Sequence, residues 1–340
     1  MEKSEIKAYL LSLSETDRKV LLKELTIEMS EKPPLELLNR RELYDNKIGG
    51  CPHCDGKKYR KHGIDKSVQR YFCTICEKTF TEHTGTWLAG LHHKDLVEDY
   101  LKLMGEECSL DKIKVKLNIN KKTAFDWRHK ILASTASVEE TAFTGITESD
   151  ETFFAESQKG SQNMTRSARK RGKSIKKRGI NEQQVAVIAT ADRSSELNLT
   201  LATLGRIKKI DIENAIGKFI SPQVILCTDS HVSFKGFAID NKLTHIKLRS
   251  DLKQFVKGVY HIQHVNSIHS RLKIWIEATF QGVSTKYLQN YLNWFRLKEK
   301  LKNSQNFLVE FMRKTLIDSH ALEKYRLIPQ KYEELMNLKR

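Results

Sequence analysis

Two Cys-x-x-Cys pairs, Cys51-Pro-His-Cys54 and Cys73-Thr-Ile-Cys76, stand eighteen residues apart, a spacing that lets two turns close a tetrahedral four-thiolate site around zinc. Six cysteines in 340 residues are too few for a disulfide scaffold, so metal ligation in a reducing compartment is the reading that uses the pairs. A thioredoxin-type redox role would place one pair beside a βαβ unit, and neither pair has that context. Between the pairs, Tyr59 to Gly63 and Gln69 to Phe72 alternate as the strands of a hairpin, and Phe80 supplies the apolar plug a zinc ribbon needs. His53 reads as a bystander beside four thiolates. Lys57, Lys58, Arg60, Lys61 and His62 suit contact with phosphates, although a ribbon also serves as a protein-binding or dimerising module. Cys108 and Cys227 read as small buried hydrophobes.

The charge balance narrows the partner. Fifty-nine Lys and Arg against 42 Asp and Glu give +17, an excess that a polyanion neutralises, and nucleic acid is the leading candidate. No run of about 20 apolar residues exists to cross a membrane, and Met1 to Lys7 is charged rather than signal-like. The expectation is a soluble, cytoplasmic protein. From Ser157 to Ile180 there is no acidic residue, while Lys159, Arg166, Arg169, Lys170, Arg171, Lys173, Lys176, Lys177 and Arg178 fall within it. This stretch reads as a solvated hairpin extension, as an arm that tracks DNA phosphates, or as both.

The length suggests two or three domains around one sizeable α/β core. Residues 1–45 form a helical lead-in, with apolar positions from Ile6 to Ile27 at helical intervals and Ser14 as an N-cap; Pro33 and Pro34 end it. The ribbon takes residues 46–90. Residues 91–140 hold three short helices, the third capped by Asn120, in a helix-turn-helix-like order; Lys121, Lys122, Arg128 and Lys130 on that third helix are candidate DNA contacts. Residues 141–302 change texture: Gly145 to Ala155, Gln184 to Asp192, Leu197 to Leu204 and Val224 to Thr228 read as strands, Ile210 to Ile220 as a helix and Thr244 to Leu248 as a fifth strand. The result is a mixed α/β domain with a basic insert at 157–181, followed by a helical tail over 303–340.

Phosphodiester chemistry commonly uses divalent metals held by carboxylates on neighbouring strands. Asp150 lies within the first strand among Ile146, Phe153 and Phe154, where a buried charge is costly without a cation. Asp229 ends the apolar run Val224-Ile-Leu-Cys-Thr-Asp229. Each alone resembles an ordinary turn or cap residue; together, with the first and fourth strands as neighbours, they make a metal pair. Glu151 projects to the opposite strand face by simple alternation and reads as structural. His231 and His261 lie near these positions in sequence and are weaker candidates.

The order of zinc ribbon, helical segment, Asp-Glu-Thr strand, basic insert and Thr-Asp-Ser-His strand end is followed by Val265-Asn-Ser-Ile-His-Ser-Arg-Leu-Lys273 and Gly282-Val-Ser-Thr-Lys-Tyr-Leu-Gln-Asn-Tyr-Leu292. Over residues 40 to 300 this resembles the ISXO2-like (IS1595-type) DDE transposases of bacterial insertion sequences. The resemblance implies a ribonuclease H-like catalytic domain, with Asp150, Asp229 and His269 as ligands of Mg²⁺ or Mn²⁺. It also implies double-stranded DNA as substrate and target, and an assembly of at least two subunits near the nucleoid. His269 stands where most DDE transposases carry glutamate, and a neutral imidazole adds no negative charge, which favours Mn²⁺ as a substitute for Mg²⁺. Lys273, one helical turn on, is placed to hold a DNA phosphate; Asn266 shares that face, and Arg271 is a further DNA candidate. Glu277 is the rival third ligand, but about 80° of rotation at 100° per residue points it elsewhere. The implied chemistry is hydrolysis at the element end followed by attack of the freed 3′-hydroxyl on target DNA. A decayed, DNA-binding regulator and a structure-selective nuclease of the same fold are the alternatives.

Overall fold

The computed structural model describes residues 40–65, 68–137, 141–167, 179–249, 252, 254–304 and 306–337, together with 9, 12–14 and 17. Most of the helical lead-in therefore lies outside the described residues, as do Arg169, Lys170, Arg171, Lys173, Lys176, Lys177 and Arg178. Within the lead-in, the backbone N–H of Asp17 donates to Ser14 Oγ at 3.1 Å.

The first module is small and aromatic. Helix α1 (Arg40–Asp45) packs on a three-stranded antiparallel sheet of β1 (Tyr59–Asp65), β2 (Val68–Cys73) and β3 (Thr79–Thr81). Tyr44, Tyr59, Tyr71 and Phe80 are buried together with Cys51 and Cys73, and their rings meet at centroid distances of 5.2 to 5.9 Å, mostly edge to face. A module this size cannot bury enough aliphatic surface for a core of its own, so rings and metal ligands substitute for it. Buried Arg40 fastens the module to the far end of the chain. Its guanidinium donates to the carbonyls of Glu82 and Leu316 and to Ser319 Oγ, and the N–H of Leu322 donates to the Gly85 carbonyl at 3.1 Å. Gly85 sits at φ +80° with the Ser319 carbonyl where a Cβ would fall, so a side chain there is excluded twice over.

Three helices follow: α2 (Val97–Gly105), α3 (Leu110–Leu117) and α4 (Lys121–Ser134). Ser109 caps α3 and Asn120 caps α4, each side chain accepting a first-turn N–H; between them Asn118, at φ 50°, makes the tight turn. The first turn of α4 exposes Lys121 and Lys122, whereas from Ala124 to Ser134 most positions are buried against α8 (Thr285–Leu301), α9 (Phe307–Leu316) and α10 (Ala321–Asn337). Arg128, expected to contact DNA, is 1% exposed. Its guanidinium donates to the Cys108 carbonyl at 2.6 Å and lies over the rings of Phe280 and Trp294. That expectation is corrected: Arg128 is a core residue that ties the three-helix segment to α8. Lys130 is only partly exposed on the same helix.

The central sheet has the order β6-β5-β4-β7-β8, with β4 (Ile146–Ala155), β5 (Gln184–Asp192) and β6 (Leu197–Leu204) antiparallel, and β7 (Ile225–Asp229) and β8 (Thr244–Leu248) running parallel to β4. This is the expected ribonuclease H-like arrangement, with the first and fourth strands of the sheet adjacent. Alternation sends Val185, Val187 and Ala189 into a core shared with α7 (Gln263–Ile274), α8 and the helices α2 to α4. Ala186 and Ile188 enter a second core against α5 (Lys209–Ile216) and α6 (Val232–Asp240). The sheet is thus buried on both faces between helical layers, which explains why β5 carries no exposed residue. A short hairpin of β9 (Val256–Lys257) and β10 (Tyr260–His261) leads into α7, which runs on through a π-turn, Trp275–Thr279.

The base of the basic insert is anchored rather than free. Ser157 and Thr285 exchange hydrogen bonds, the Thr285 N–H donating to the Ser157 carbonyl at 2.8 Å and the Ser157 N–H to Thr285 Oγ1 at 2.9 Å. Lys159 Nζ donates to the carbonyls of Phe280, Gln281 and Gly282, closing the end of the helical run. Arg166 pairs with buried Glu156 at 2.7 Å. Of the nine cations assigned to the arm, these two act within the protein.

Arg128→Ala should lower unfolding stability by on the order of 2–4 kcal/mol, since it opens a cavity and orphans a carbonyl. Lys122→Ala should stay within about 0.5 kcal/mol. Denaturant melts of the two variants check the contrast, and equal effects would contradict the placement of Arg128 in the core.

Candidate active site

Two clusters of metal-ligating side chains stand out among the described residues. In the first, Cys51, Cys54, Cys73 and Cys76 each bring Sγ within 4.8 Å of the others. Cys51 and Cys76 are 3.8 Å apart and Cys54 and Cys73 3.7 Å, close to the roughly 3.8 Å edge of a tetrahedron with zinc–sulfur bonds of about 2.3 Å. All are free thiols. Burial pushes the Cys51 thiol up to about 12. For Cys73 burial is outweighed by the N–H groups of Cys76 and Ile75, which bring it down to about 7. A cation among them resolves that conflict by favouring every thiolate. The donor set fits zinc, and His53, which meets the Thr79 carbonyl at 3.3 Å, stands outside it.

The second cluster is built by the sheet. β4 and β7 pair in parallel from Ile146 with Ile225 to Glu148 with Cys227, and continuing that register sets Asp150 opposite Asp229, the last residue of β7. Asp150, Glu151 and Asp229 each offer a carboxylate oxygen within 4.8 Å of the others. The sequence expectation for Glu151 is thereby corrected. Strand alternation turns it from Asp150, but β7 ends at Asp229, so the edge of β4 beyond that point is open and the longer glutamate reaches around it. The Asp229 carboxylate also accepts the His231 N–H at 2.9 Å, starting α6 directly beyond the site.

Helix α7 crosses β4 and β5 and brings His269, 8% exposed, with Nδ1 3.8 Å from Asp150 Oδ2. Its Nε2 and Glu151 Oε2 are buried with no hydrogen-bond partner among the described residues. Such orphans are unusual in a folded protein and fit a missing cation. Burial, then Glu151 and Asp229, raise the Asp150 carboxyl to about 8, and burial and Asp229 raise Glu151, with His231 relieving part of it. Burial and the Lys273 ammonium lower His269 to about 4. The imidazole is therefore neutral at physiological pH, the form that ligates metal. The residues fit a divalent cation of the Mg²⁺ or Mn²⁺ kind.

The other candidates distribute unevenly. Lys273 is partly exposed on α7 and near enough to lower both Asp150 and His269; Asn266 is partly buried one turn before His269. Arg271 points away, pairing with Glu299 and lining an open cleft with Arg193 and Lys300. Glu277 is exposed in the π-turn and outside the carboxylate group. His261 meets Glu148 rather than the cluster.

Residues 142–299 match the family model of the ISXO2-like transposase domain. An uncharacterized protein in transposable element ISH50 of Halobacterium salinarum is 22% identical over 267 residues, spanning 74% of this chain and 85% of that relative.

The crowded carboxylates have a pH signature. Asp150 keeps its proton to about pH 8 in the fold but has an ordinary value of 3.8, so the folded state binds the extra proton between these limits. Stability of protein freed of Mg²⁺ and Mn²⁺ therefore falls as pH rises from about 4 to about 8. Asp150→Asn should flatten this trend and raise the melting temperature at pH 8. Thermal melts across pH check it, and an unchanged slope in the variant would contradict the account.

Proposed function

We propose that this chain, whose residues 142–299 carry an ISXO2-like transposase domain, is a DNA transposase that binds the ends of its insertion sequence, cleaves them in a metal-dependent reaction and joins the freed 3′-hydroxyl to target DNA. The observation that carries the reading is the meeting of Asp150 and Glu151, in the middle of β4, with Asp229 at the end of the adjacent β7 and a neutral His269 beside them. Divalent cations bound there supply Lewis-acid stabilisation of the phosphoryl oxygens and of both the attacking and the leaving oxygen.

The chain's own groups do the rest. Asp150 and Asp229 bind the cations from neighbouring strands, so the sheet fixes their separation. His269 contributes a ligand without charge, and Glu151 restores the negative charge that a third carboxylate would supply in its place. The Lys273 ammonium, one turn along α7, holds a DNA phosphate beside the carboxylates, and Asn266 orients it. Zinc held by the four cysteines keeps the ribbon folded. Lys121 and Lys122 in the exposed first turn of α4 enter a DNA groove as the start of a recognition helix does. Arg169, Lys170, Arg171, Lys176, Lys177 and Arg178 track the backbone from the insert, whose anchored base lies close to Lys121: burial and then the Lys121 ammonium lower Lys159. Two element ends held together require two or more subunits on double-stranded DNA.

A labelled duplex carrying the element end, incubated with Mg²⁺ or Mn²⁺, tests this directly. Intact protein should nick and join it, while Asp150→Ala and Asp229→Ala lose roughly 10²–10³-fold or more. Comparing His269→Ala with Glu151→Ala identifies the third ligand as the one whose removal matches the aspartates. Nicking without joining would mark a nuclease of the same fold, and tight binding without cleavage under either metal would mark a regulator.

A further inference from the structure

Glu148 lies two residues before Asp150 on the same strand face, is 1% exposed, and does not belong to the carboxylate cluster. Its two oxygens divide their partners. Oε2 accepts the backbone N–H groups of His264, at 2.9 Å, and Val265, at 3.3 Å, in the first turn of α7. Oε1 faces the Arg193 guanidinium, with Nη2 at 2.8 Å, and two imidazole nitrogens, His264 Nδ1 at 3.3 Å and His261 Nδ1 at 3.4 Å. Arg193 itself comes from the turn after β5 and also meets the rings of both histidines. One carboxylate thus gathers β4, the β5–β6 turn, the β9–β10 hairpin and the N-terminus of α7.

Resting on the reading of the site given above, we infer that Glu148 is a positioning residue, which holds α7 in the register that places His269 against Asp150. A carboxylate at a helix N-terminus binds the free N–H groups and complements the helix dipole. Val265 is one turn before His269, so the anchored turn and the ligand share one rigid stretch of helix. Because Glu148 and Asp150 sit on the same strand face, the distance from anchor to carboxylate is fixed by the strand and the distance from anchor to imidazole by the helix. Val265, Ile268 and Leu272 pack α7 on the sheet, and Glu148 fixes the register of its first turn at the joint between them. Arg193, 2.8 Å from the other oxygen, holds the carboxylate in place from the opposite side, so that Glu148 serves the helix end without joining the metal ligands. Groups that orient a ligand from behind typically change metal affinity by about 10–100-fold when removed.

Two variants of the full chain test the inference: Glu148→Ala, and Glu148→Asp, which keeps the buried charge but withdraws it by one methylene and guards against a failure to fold. Amide hydrogen exchange at His264 and Val265 should accelerate at least about tenfold in both. Mn²⁺ titrated into the protein should bind about tenfold more weakly, and the ¹⁴N coupling of its electron spin echo, contributed by His269, should fade. Circular dichroism of Glu148→Asp should stay native. Native exchange and undiminished nitrogen coupling in both variants would overturn the positioning role alone. Absence of nitrogen coupling in the intact protein would overturn the assignment of His269 as a ligand, and the positioning role with it.

Discussion

Three carboxylates within 4.8 Å of one another repel by roughly 3–4 kcal/mol per ionised pair at the effective dielectric of a protein surface. Local hydrogen bonding offsets little of this: the His231 N–H reaches Asp229, but one glutamate oxygen and one imidazole nitrogen at the site have no partner among the described residues. The architecture around the cluster holds the carboxylates together, so the repulsion is relieved by a proton or by a cation. Both faces of the sheet are buried under helices, so the strands that present Asp150 and Asp229 cannot relax apart. α7 closes the site from one side and α6 begins at its rim. Without a cation, burial and then the charges of Glu151 and Asp229 raise the Asp150 carboxyl to about 8.

The charge of the rest of the chain is disposed as the opposite of this site. A net +17 surrounds a small acidic focus, so polyanions are attracted to the molecule as a whole while the acidic focus attracts cations. Much of the visible positive charge is nevertheless committed internally. Arg40, Arg128, Lys159, Arg166 and Arg193 hold carbonyls or buried carboxylates. The hydrogen bonds of Arg40 join the ribbon to the C-terminal helices, and the guanidinium of Arg128, lying over the Trp294 ring, joins the three-helix segment to α8. The Gly282-Val-Ser-Thr-Lys-Tyr-Leu block shows the same economy. Thr285 receives the end of β4, the carbonyls before it receive Lys159, and Tyr287 stacks on His129 of α4 with centroids 4.0 Å apart. One short segment thereby couples insert, helical segment and central sheet.

Much of this was legible in the residues. The thiolate spacing, the strand texture of the core and the apolar run ending at Asp229 follow from short-range periodicity, which is what alternation and helical repeat encode. The third helix was legible from Asn120 and its apolar spacing, but its exposure was not. Counting cations on a helix does not say which of them the neighbouring helices cover, and Arg128 is covered. Glu151 was misread because alternation assumes a flanked strand, and only the pairing register shows that β7 stops where the glutamate begins to turn. Glu148 carried no signal of its own. Its meaning depends on where α7 begins, more than a hundred residues later, and no local pattern reports that.

The most direct measurement of the central claim is anomalous X-ray diffraction from crystals grown with Mn²⁺. The account predicts a Mn²⁺ peak between Asp150 and Asp229, with His269 and Glu151 in contact and a separate zinc signal at Cys51, Cys54, Cys73 and Cys76. A well-ordered Asp150–Asp229 cluster with no peak at saturating Mn²⁺, or Mn²⁺ found only elsewhere, would contradict it.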